Sequence, residues 1–353
     1  MIPGESRGTG IEIFVMANRV STSEALAERV QVWEQLGVSG ILMPDHFFVS
    51  DAGGRPAVQP DPFVVLAAIG ALSGRLKLGT IVANCGVVHP AWILRHLAQL
   101  AALYGGERVV AGLGAGWNAE EFQALGLTMP PHAERTRRLQ DSLVLARQLF
   151  DEGVASISAP GFAVHNLPVD VGPTAPRLLV GGGSDRVLEL AARYADQLDL
   201  NGSSRRAPIG RSGAAQQDGV RRLTTTTADL VDSAARVREL AEEHGRPDAV
   251  RFSLLLDTID LCPASQAEER RQELARARGA EGAPVADCPY VLIGPPEETA
   301  EVLTERIDQI GLSALLVLDG PAVPALLENV VPRIRDKVTG FVSQGEGTEP
   351  CCT

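Results

Sequence analysis

Short apolar runs alternate with amphipathic stretches along most of the chain. Runs that are rich in β-branched residues and bounded by Gly or Pro predict buried strands, whereas apolar residues spaced by three and four positions predict helices. Eight runs are predicted as strands, over residues 11–17, 40–43, 76–82, 108–112, 177–180, 197–200, 251–259 and 313–318. Helices are predicted over residues 22–36, 61–72, 90–103, 134–150, 185–194, 228–243, 297–310 and 322–335.

This alternation of strand and helix is typical of the α/β class. Eight strand–helix units, without the glycine and acidic pairing of a dinucleotide-binding unit, predict a TIM (β/α)8 barrel with inserted segments. In that fold the ligand site lies at the carboxyl ends of the strands. The segments expected there are Asp45 and His46, residues 80–85, 114–118, 181–184 and 200–202, and Asp257.

Two stretches interrupt the alternation. Residues 156–171, with Gly and Pro at their edges, predict an inserted hairpin. Residues 201–227 are rich in Gly, Ser, Thr and Arg and predict a long flexible loop, and their position after a strand favours a lid. We expect residues 1–340 to form a single domain and residues 341–353 a disordered tail.

The sequence RVVAGLGAGWNAEEF, residues 108–122, combines several of these signals. An apolar run leads into three alternating glycines, and Asn118 followed by two acids predicts a helix start. Glycines between a strand and a helix let a flat or anionic ligand approach the backbone, although a tight turn without a ligand has the same pattern. The indole of Trp117 in this turn is expected to cover the core or to wall a pocket.

Composition narrows the functional classes. The formal net charge of −12 argues against nucleic acid or an anionic membrane as the partner, and 45% hydrophobic residues allow a sizeable core. The five cysteines form no CxxC pair and have no histidine at zinc-finger spacing, so free thiols and no metal site are expected. No signal peptide and no apolar run of about 18 residues is recognisable, which predicts a soluble cytoplasmic protein.

As a set, seven motifs resemble the luciferase-like monooxygenase superfamily from about residue 11 to residue 335. The motifs are PDHFF (44–48), LGTIVAN (78–84), AGLGAGWNAEEF (111–122), RRLQDSL (137–143), LLVGGGS (178–184), ADQLDLNG (195–202) and YVLIGPPEETAEVLTERIDQIG (290–311). The resemblance implies a TIM barrel that binds a reduced flavin or the deazaflavin coenzyme F420 at the strand ends. It also implies a homodimer.

Members of this superfamily either use reduced FMN with oxygen or move a hydride to or from coenzyme F420. The motifs look most like the F420 branch, so the resemblance implies hydride transfer between coenzyme F420 and a small organic substrate. The alternative is an FMN-dependent monooxygenase. A barrel that stores or senses flavin without turnover is the rival from another class. The identity of the substrate and the direction of transfer stay open.

The resemblance assigns one catalytic residue and a set of cofactor contacts. His46 would lie beside the ring and donate a proton near neutral pH, although a histidine that only closes the strand end is the plain alternative. A cis peptide bond is implied near Ile81 and Val82, where the alternative is an ordinary buried strand. The implied cofactor contacts are Asp45, Thr80, Ile81, Ala83, Asn84, Gly114, Ala115, Gly116, Asn118, Gly181, Gly182, Gly183 and Ser184.

The last four of these residues predict a phosphate site, because a helix begins at Asp185 and its first amides are free to bind an anion. A simple turn is the alternative. Phe47, Phe48 and Trp117 are the implied substrate contacts. Trp117 stands where the deazaflavin sugar dehydrogenases carry an acidic residue; an indole cannot replace a carboxylic acid as proton donor, so stacking against the substrate is the expected role.

Overall fold

Eight parallel strands close into a barrel, as the sequence predicted. In the computed structural model, residues 10–20, 22–50, 55–201, 220 and 222–337 are described. The barrel strands are β1 (Glu12–Met16), β2 (Gly40–Met43), β5 (Lys77–Thr80), β7 (Val109–Gly114), β10 (Arg177–Gly182), β11 (Gln197–Leu200), β12 (Arg251–Leu256) and β15 (Leu312–Leu318). Each pairs with the next in this order, and β15 pairs with β1 to complete the cylinder.

The helices pack around the outside of the barrel. They are α1 (Ser23–Gln35), α2 (Pro62–Leu72), α3 (Pro90–Tyr104), α4 (Ala119–Ala124), α5 (His132–Glu152), α6 (Asp185–Tyr194), α7 (Thr227–Glu243), α8 (Ala264–Ala277), α9 (Pro296–Ile310) and α10 (Ala322–Asn329). Side-chain caps stabilise the first turns of several helices. Asp61 accepts hydrogen bonds from two amides of α2, and Thr226 forms a capping box with Asp229 at the start of α7. Gly153 and Gly311 end α5 and α9 in the left-handed conformation.

Seven further strands lie outside the barrel wall or extend it. They are β3 (Phe48–Ser50), β4 (Pro56–Val58), β6 (Ala83–Asn84), β8 (Val154–Ala159), β9 (Phe162–Pro168), β13 (Thr258–Leu261) and β14 (Val291–Gly294). The antiparallel pair β8 and β9 confirms the predicted hairpin. Most of the predicted 201–227 loop, residues 202–219 and 221, lies outside the described residues, as does the predicted 341–353 tail.

Two predicted strand ends at the site were wrong. The strand predicted over 76–82 ends at Thr80, and the cis peptide bond between Ile81 and Val82, which the resemblance implied, lies between it and β6. The strand predicted to end at Gly112 continues to Gly114 and pairs with β6 there.

Two other boundaries were also wrong. The strand predicted over 251–259 divides after Leu256, because the amide of Asp257 bonds to the carbonyl of Tyr290 and β13 then pairs with β14 outside the barrel. The helix predicted to reach residue 335 ends at Asn329, and 3-10 turns follow. Pro332 has no amide hydrogen to continue the helix.

The inside of the barrel is layered. At its amino-terminal end Glu12 forms ion pairs with Lys77, Arg177 and Arg251. Above this charged layer, seven buried apolar residues fill the interior: Phe14, Leu42, Val110, Leu179, Leu255, Ala314 and Leu316. Half-buried Met16, Ile81, Val82 and Leu318 pack on top, so that an apolar surface faces the carboxyl-terminal opening.

Two negative findings concern the described residues alone. None of their helices is both long and apolar enough to cross a membrane. Cytoplasmic location stays a prediction from the sequence. Within the same residues, no group of three or more His, Cys, Asp and Glu side chains is arranged to bind a metal ion.

Candidate active site

His46 lies at the carboxyl end of β2 and is bonded to a buried carboxylate. Its Nδ1 lies 2.8 Å from Oε2 of Glu121, whose side chain is only 1% exposed. The other oxygen, Oε1, accepts from the amide of Phe47 at 2.6 Å and from that of Phe48 at 3.4 Å. Since Glu121 occupies Nδ1, Nε2 is the ring nitrogen that can meet a ligand.

Glu121 was missed by the sequence analysis as a site residue. It lies in the first turn of α4, whose start is capped by Asn118. Both Glu120 and Glu121 are favourable at the positive end of a helix. Only the contact of Glu121 with the chain after β2 distinguishes the two residues. The side chain of Asn118 also donates to the carbonyl of Phe48 at 3.3 Å, so α4 and β3 are joined by two side chains.

Two of the three predicted substrate contacts expose large apolar faces beside His46. The indole of Trp117 meets the imidazole edge to face, with ring centroids 5.4 Å apart, and remains 44% exposed. Phe47 is 56% exposed. Phe48 begins β3 and is half-buried.

Asp45 and Asn84 lie on the neighbouring strand ends. The carboxylate of Asp45 accepts from the main-chain amide of Asn84 at 2.9 Å, and the side-chain oxygen of Asn84 accepts from the amide of Gly86 at 2.9 Å. Burial raises the pKa of Asp45, and this outweighs the opposing hydrogen bond from Asn84. A small cavity is lined by Asp45, Phe47, Asn84, Val87, Val88 and Glu121.

The segment with the cis peptide bond packs closely on β7. Thr80 is fully buried, and its hydroxyl donates to the carbonyl of Gly112 at 2.7 Å. A Cβ built on Gly114 would lie 2.3 Å from Cγ2 of Val82. Protein packing therefore requires glycine at position 114, whatever ligand binds there.

The next glycine in the motif has a conformational reason. Gly116 has a φ of +76°, and a Cβ there would lie 2.3 Å from the side-chain oxygen of Asn84. Ala115, between the two glycines, is half-buried. Ala83 is fully buried and belongs to the outer core between strands and helices, so its side chain points away from the opening.

The residues predicted to bind phosphate form the junction between β10 and α6. Ser184 caps the helix, and its hydroxyl accepts from the amide of Val187 at 3.4 Å. Gly182 has a φ of +147°, and a Cβ there would lie 2.9 Å from Cγ1 of Val187. Gly181 precedes Gly182 in β10, and Gly183 connects Gly182 to the N-cap residue Ser184. The ten-residue helix directs its first amides toward the carboxyl-terminal opening, which suits a phosphate, whereas Asp185 in the first turn opposes one.

A second buried carboxylate, which the sequence analysis also missed, lies across the barrel. Asp199 on β11 is paired in register with Gly181 and Ser253. Its oxygens accept from the hydroxyl of Ser253 at 3.1 Å and from the side-chain amide of Asn201 at 3.4 Å. Burial raises the pKa of Asp199 to about 6, although the charge of Arg222 acts to lower it.

Register places the Asp199 side chain inside the barrel. Leu179 and Leu255 belong to the interior layer. Gly181 lies two residues after Leu179, and Ser253 lies two residues before Leu255, so both are on the inward-facing side of their strands. Polar and apolar residues alternate along β11, so Gln197 and Asp199 lie on one face and the two leucines on the other. This alternation could have identified Asp199 from the sequence.

The arrangement fits a flat redox ring. The apolar upper layer offers a surface for the ring, the α6 start offers amides for a phosphate, and His46 offers a nitrogen for proton transfer. The grouped residues come from the ends of β2, β5, β7 and β10, and Asp199 from β11.

A family model described as luciferase-like monooxygenase matches residues 11–311. Among curated relatives, an F420-dependent glucose-6-phosphate dehydrogenase of Kribbella flavida is 28% identical over 165 residues, which are 46% of this chain and 48% of the relative. The chain matches about half the length of such curated relatives.

Two solved structures show the same fold at low identity. An F420-dependent secondary alcohol dehydrogenase in complex with an F420-acetone adduct has a TM-score of 0.72 at 16% identity and covers 92% of this chain and 99% of that one. A riboflavin lyase with modified FMN has a TM-score of 0.70 at 16% identity and covers 95% and 94%.

Proposed function

The chain belongs to the luciferase-like monooxygenase family, and from this premise we propose that it transfers a hydride between coenzyme F420 and a small organic substrate. The observation that carries the proposal is the imidazole of His46, which Glu121 holds at the same end of the barrel as the apolar upper layer. The curated relatives named as F420-dependent support coenzyme F420 as the first choice of cofactor.

The geometry of the strand ends supports the proposed cofactor contacts. Ile81 and Val82 would lie under the ring, and the amides at Gly183 and Ser184 would bind its phosphate. Coenzyme F420, when bound, supplies a ring carbon that accepts or gives a hydride.

His46 is proposed to move the proton that accompanies the hydride. With Glu121 accepting from Nδ1–H, Nε2 carries a lone pair and can accept a proton from a substrate hydroxyl. In the oxidising direction Nε2 of His46 would accept the O–H proton of an alcohol, and bound coenzyme F420 would accept the hydride from the adjacent carbon, which would leave a carbonyl product. Trp117 shapes the space beside His46 and carries no transferable acid proton.

An FMN-dependent monooxygenase is the second candidate. The shared fold of the riboflavin lyase with modified FMN supports it. So does Trp117, which occupies the place where the resemblance assigns an acid to F420-dependent sugar dehydrogenases.

Parallel titration of the purified protein with coenzyme F420 and with FMN, followed by fluorescence, tests the proposal. We expect saturable binding of coenzyme F420 and, with a substrate, loss of its absorbance band without oxygen. Oxygen consumption with supplied reduced FMN would instead establish the second candidate. Tight cofactor binding without any turnover would establish a flavin-binding barrel. The control is His46→Asn, which should bind the cofactor but lose turnover.

We also propose a homodimer that forms through α2 and α3. Residues Pro62–Leu72 of α2 contain no charged or hydrogen-bonding side chain. On the outer face of the two helices Val64 is 70% exposed, Trp92 54% and Leu103 60%. Covering such apolar side chains in a symmetric contact would remove them from water.

A further inference from the structure

The space beside His46 is bordered by acidic and apolar side chains. Asp45 and Glu121 are the titratable residues that line its small cavity, together with Phe47, Val87 and Val88. Among the described residues, no Lys or Arg lines this cavity. The relatives named F420-dependent glucose-6-phosphate dehydrogenase are named for a phosphorylated substrate, and a phosphate is most often bound by such basic side chains.

The charges around Asp45 have a predominantly negative sign. The groups close enough to shift its pKa, after burial and its hydrogen bond, are His46, Asp61 and Glu121. Two of these three are acids. Charges interact strongly where water is excluded, and a substrate anion in this cavity would meet the carboxyl groups of Asp45 and Glu121 and no lining cation among the described residues.

A guanidinium near the cavity, that of Arg138, is committed to the main chain. Arg138 on α5 donates from Nε to the carbonyl of Cys85 at 2.5 Å and from Nη2 to that of Val88 at 3.2 Å. It also donates from Nη1 to the carbonyl of Gly161 at 3.4 Å. Its donors therefore fix the loop after β6 rather than point into the cavity.

The remaining wall is apolar and accessible. Val88 is 37% exposed and lines the cavity together with Phe47, and the exposed indole of Trp117 contacts the neighbouring His46. A hydrocarbon group bound against these three side chains would remove apolar surface of both partners from water.

We infer that the site selects uncharged, largely apolar alcohols or carbonyl compounds and rejects phosphorylated or carboxylated ones. The inference rests on the proposed function for the reaction, and on the acidic and apolar walls for the selection. One hydroxyl or carbonyl oxygen of the substrate meets Nε2 of His46, and the rest of the molecule lies against Phe47, Val88 and Trp117.

A matched pair of ligands tests the selection without turnover. Trans-4-hydroxycyclohexanecarboxamide and trans-4-hydroxycyclohexanecarboxylate have nearly the same size and differ in one negative charge. Calorimetric titration of the cofactor-free protein at pH 8 should show that the amide binds more tightly by on the order of tenfold. Equal or tighter binding of the carboxylate, or saturable binding of neither, would overturn the inference.

Two variants locate the effect. Val88→Arg places a cation at the cavity wall and should reduce or reverse the preference. Val32→Arg, on the exposed face of α1, is the matched control and should leave it unchanged. A preference that Val88→Arg does not alter would place the selection elsewhere and contradict the inference.

Turnover with coenzyme F420 separates this inference from the proposed function. Oxidation of glucose 6-phosphate by the protein would support the function and contradict the selection. Preferential binding of the amide without reaction of coenzyme F420 with any neutral alcohol or ketone would support the selection and contradict the function.

Discussion

At the scale of single residues, Glu121 links the reactive histidine to the chain that carries it. One oxygen bonds to His46, and the other accepts from the amides of Phe47 and Phe48. The same carboxylate therefore sets the imidazole orientation and satisfies two main-chain donors at the end of β2.

Two substitutions of Glu121 should separate these effects. In Glu121→Gln the amide oxygen can still accept from Phe47, but its NH2 group donates to Nδ1 and places the histidine proton on Nε2. We expect kcat to fall by roughly 10²–10⁴-fold with little loss of stability. Glu121→Ala should also lower the free energy of unfolding by about 2–4 kcal/mol. Steady-state kinetics and urea unfolding measure the two; an unchanged kcat in Glu121→Gln would exclude the assigned histidine tautomer.

Asp199 should make stability depend on pH in an unusual direction. Burial raises its pKa from 3.8 to about 6, so between these values the folded protein binds a proton that the unfolded chain releases. The contribution of Asp199 to the free energy of unfolding therefore falls by about 3 kcal/mol as the pH rises through this window, and it is constant at higher pH. Asp199→Asn should remove this slope. Urea unfolding between pH 4 and 8 checks it, with exposed Asp151→Asn as control; parallel curves for wild type and Asp199→Asn would refute it.

At the scale of elements, close packing between β5, β6 and β7 shapes the opening. Val82 follows the cis peptide bond and contacts the main chain at Gly114, where no side chain can be accommodated. The position of the apolar upper layer therefore depends on a glycine in the neighbouring strand.

Adding one methyl group at this contact should disturb the element. Gly114→Ala is expected to lower the free energy of unfolding by about 1–3 kcal/mol, because its Cβ would overlap with Val82. Gly320→Ala is the control, since a Cβ there has no atom within 4 Å. Urea unfolding compares the two, and equal stability of both variants would show that β7 can move away without cost.

The barrel strands could be predicted because each is a short apolar run bounded by turn residues. The pair β13 and β14 and the helix α8 could not. Helix α8 buries only Ala267 and Ala275, so it lacks the periodicity of large apolar residues that identifies a helix. His46 could be placed at a strand end, but its partner Glu121 is 75 residues away and no local pattern connects the two.

At the scale of the whole molecule, the outer face of α2 and α3 differs from the other helical surfaces in its exposed apolar side chains. Val64 and Leu103 are the most exposed large apolar residues on these helices. The proposed homodimer depends on this face.

Charges introduced on this face should prevent association. We expect Val64→Asp combined with Leu103→Asp to convert a dimer into a monomer, because two copies would bury unpaired carboxylates. Val154→Asp, on the hairpin strand β8, is the control. Sedimentation equilibrium reports the mass; a monomeric wild-type protein, or a dimer in the double variant, would contradict the proposed interface.

Closure of the barrel by β1 and β15 also has a consequence for biosynthesis. The paired residues Glu12 and Ala314 are separated by about 300 positions, so the first strand leaves the ribosome long before its partner exists. Until then β1 and β12 each present an unpaired edge to the crowded interior of the cell. We expect co-expressed chaperones to raise the yield of folded protein, and an unchanged soluble fraction would show that the nascent chain protects these edges itself.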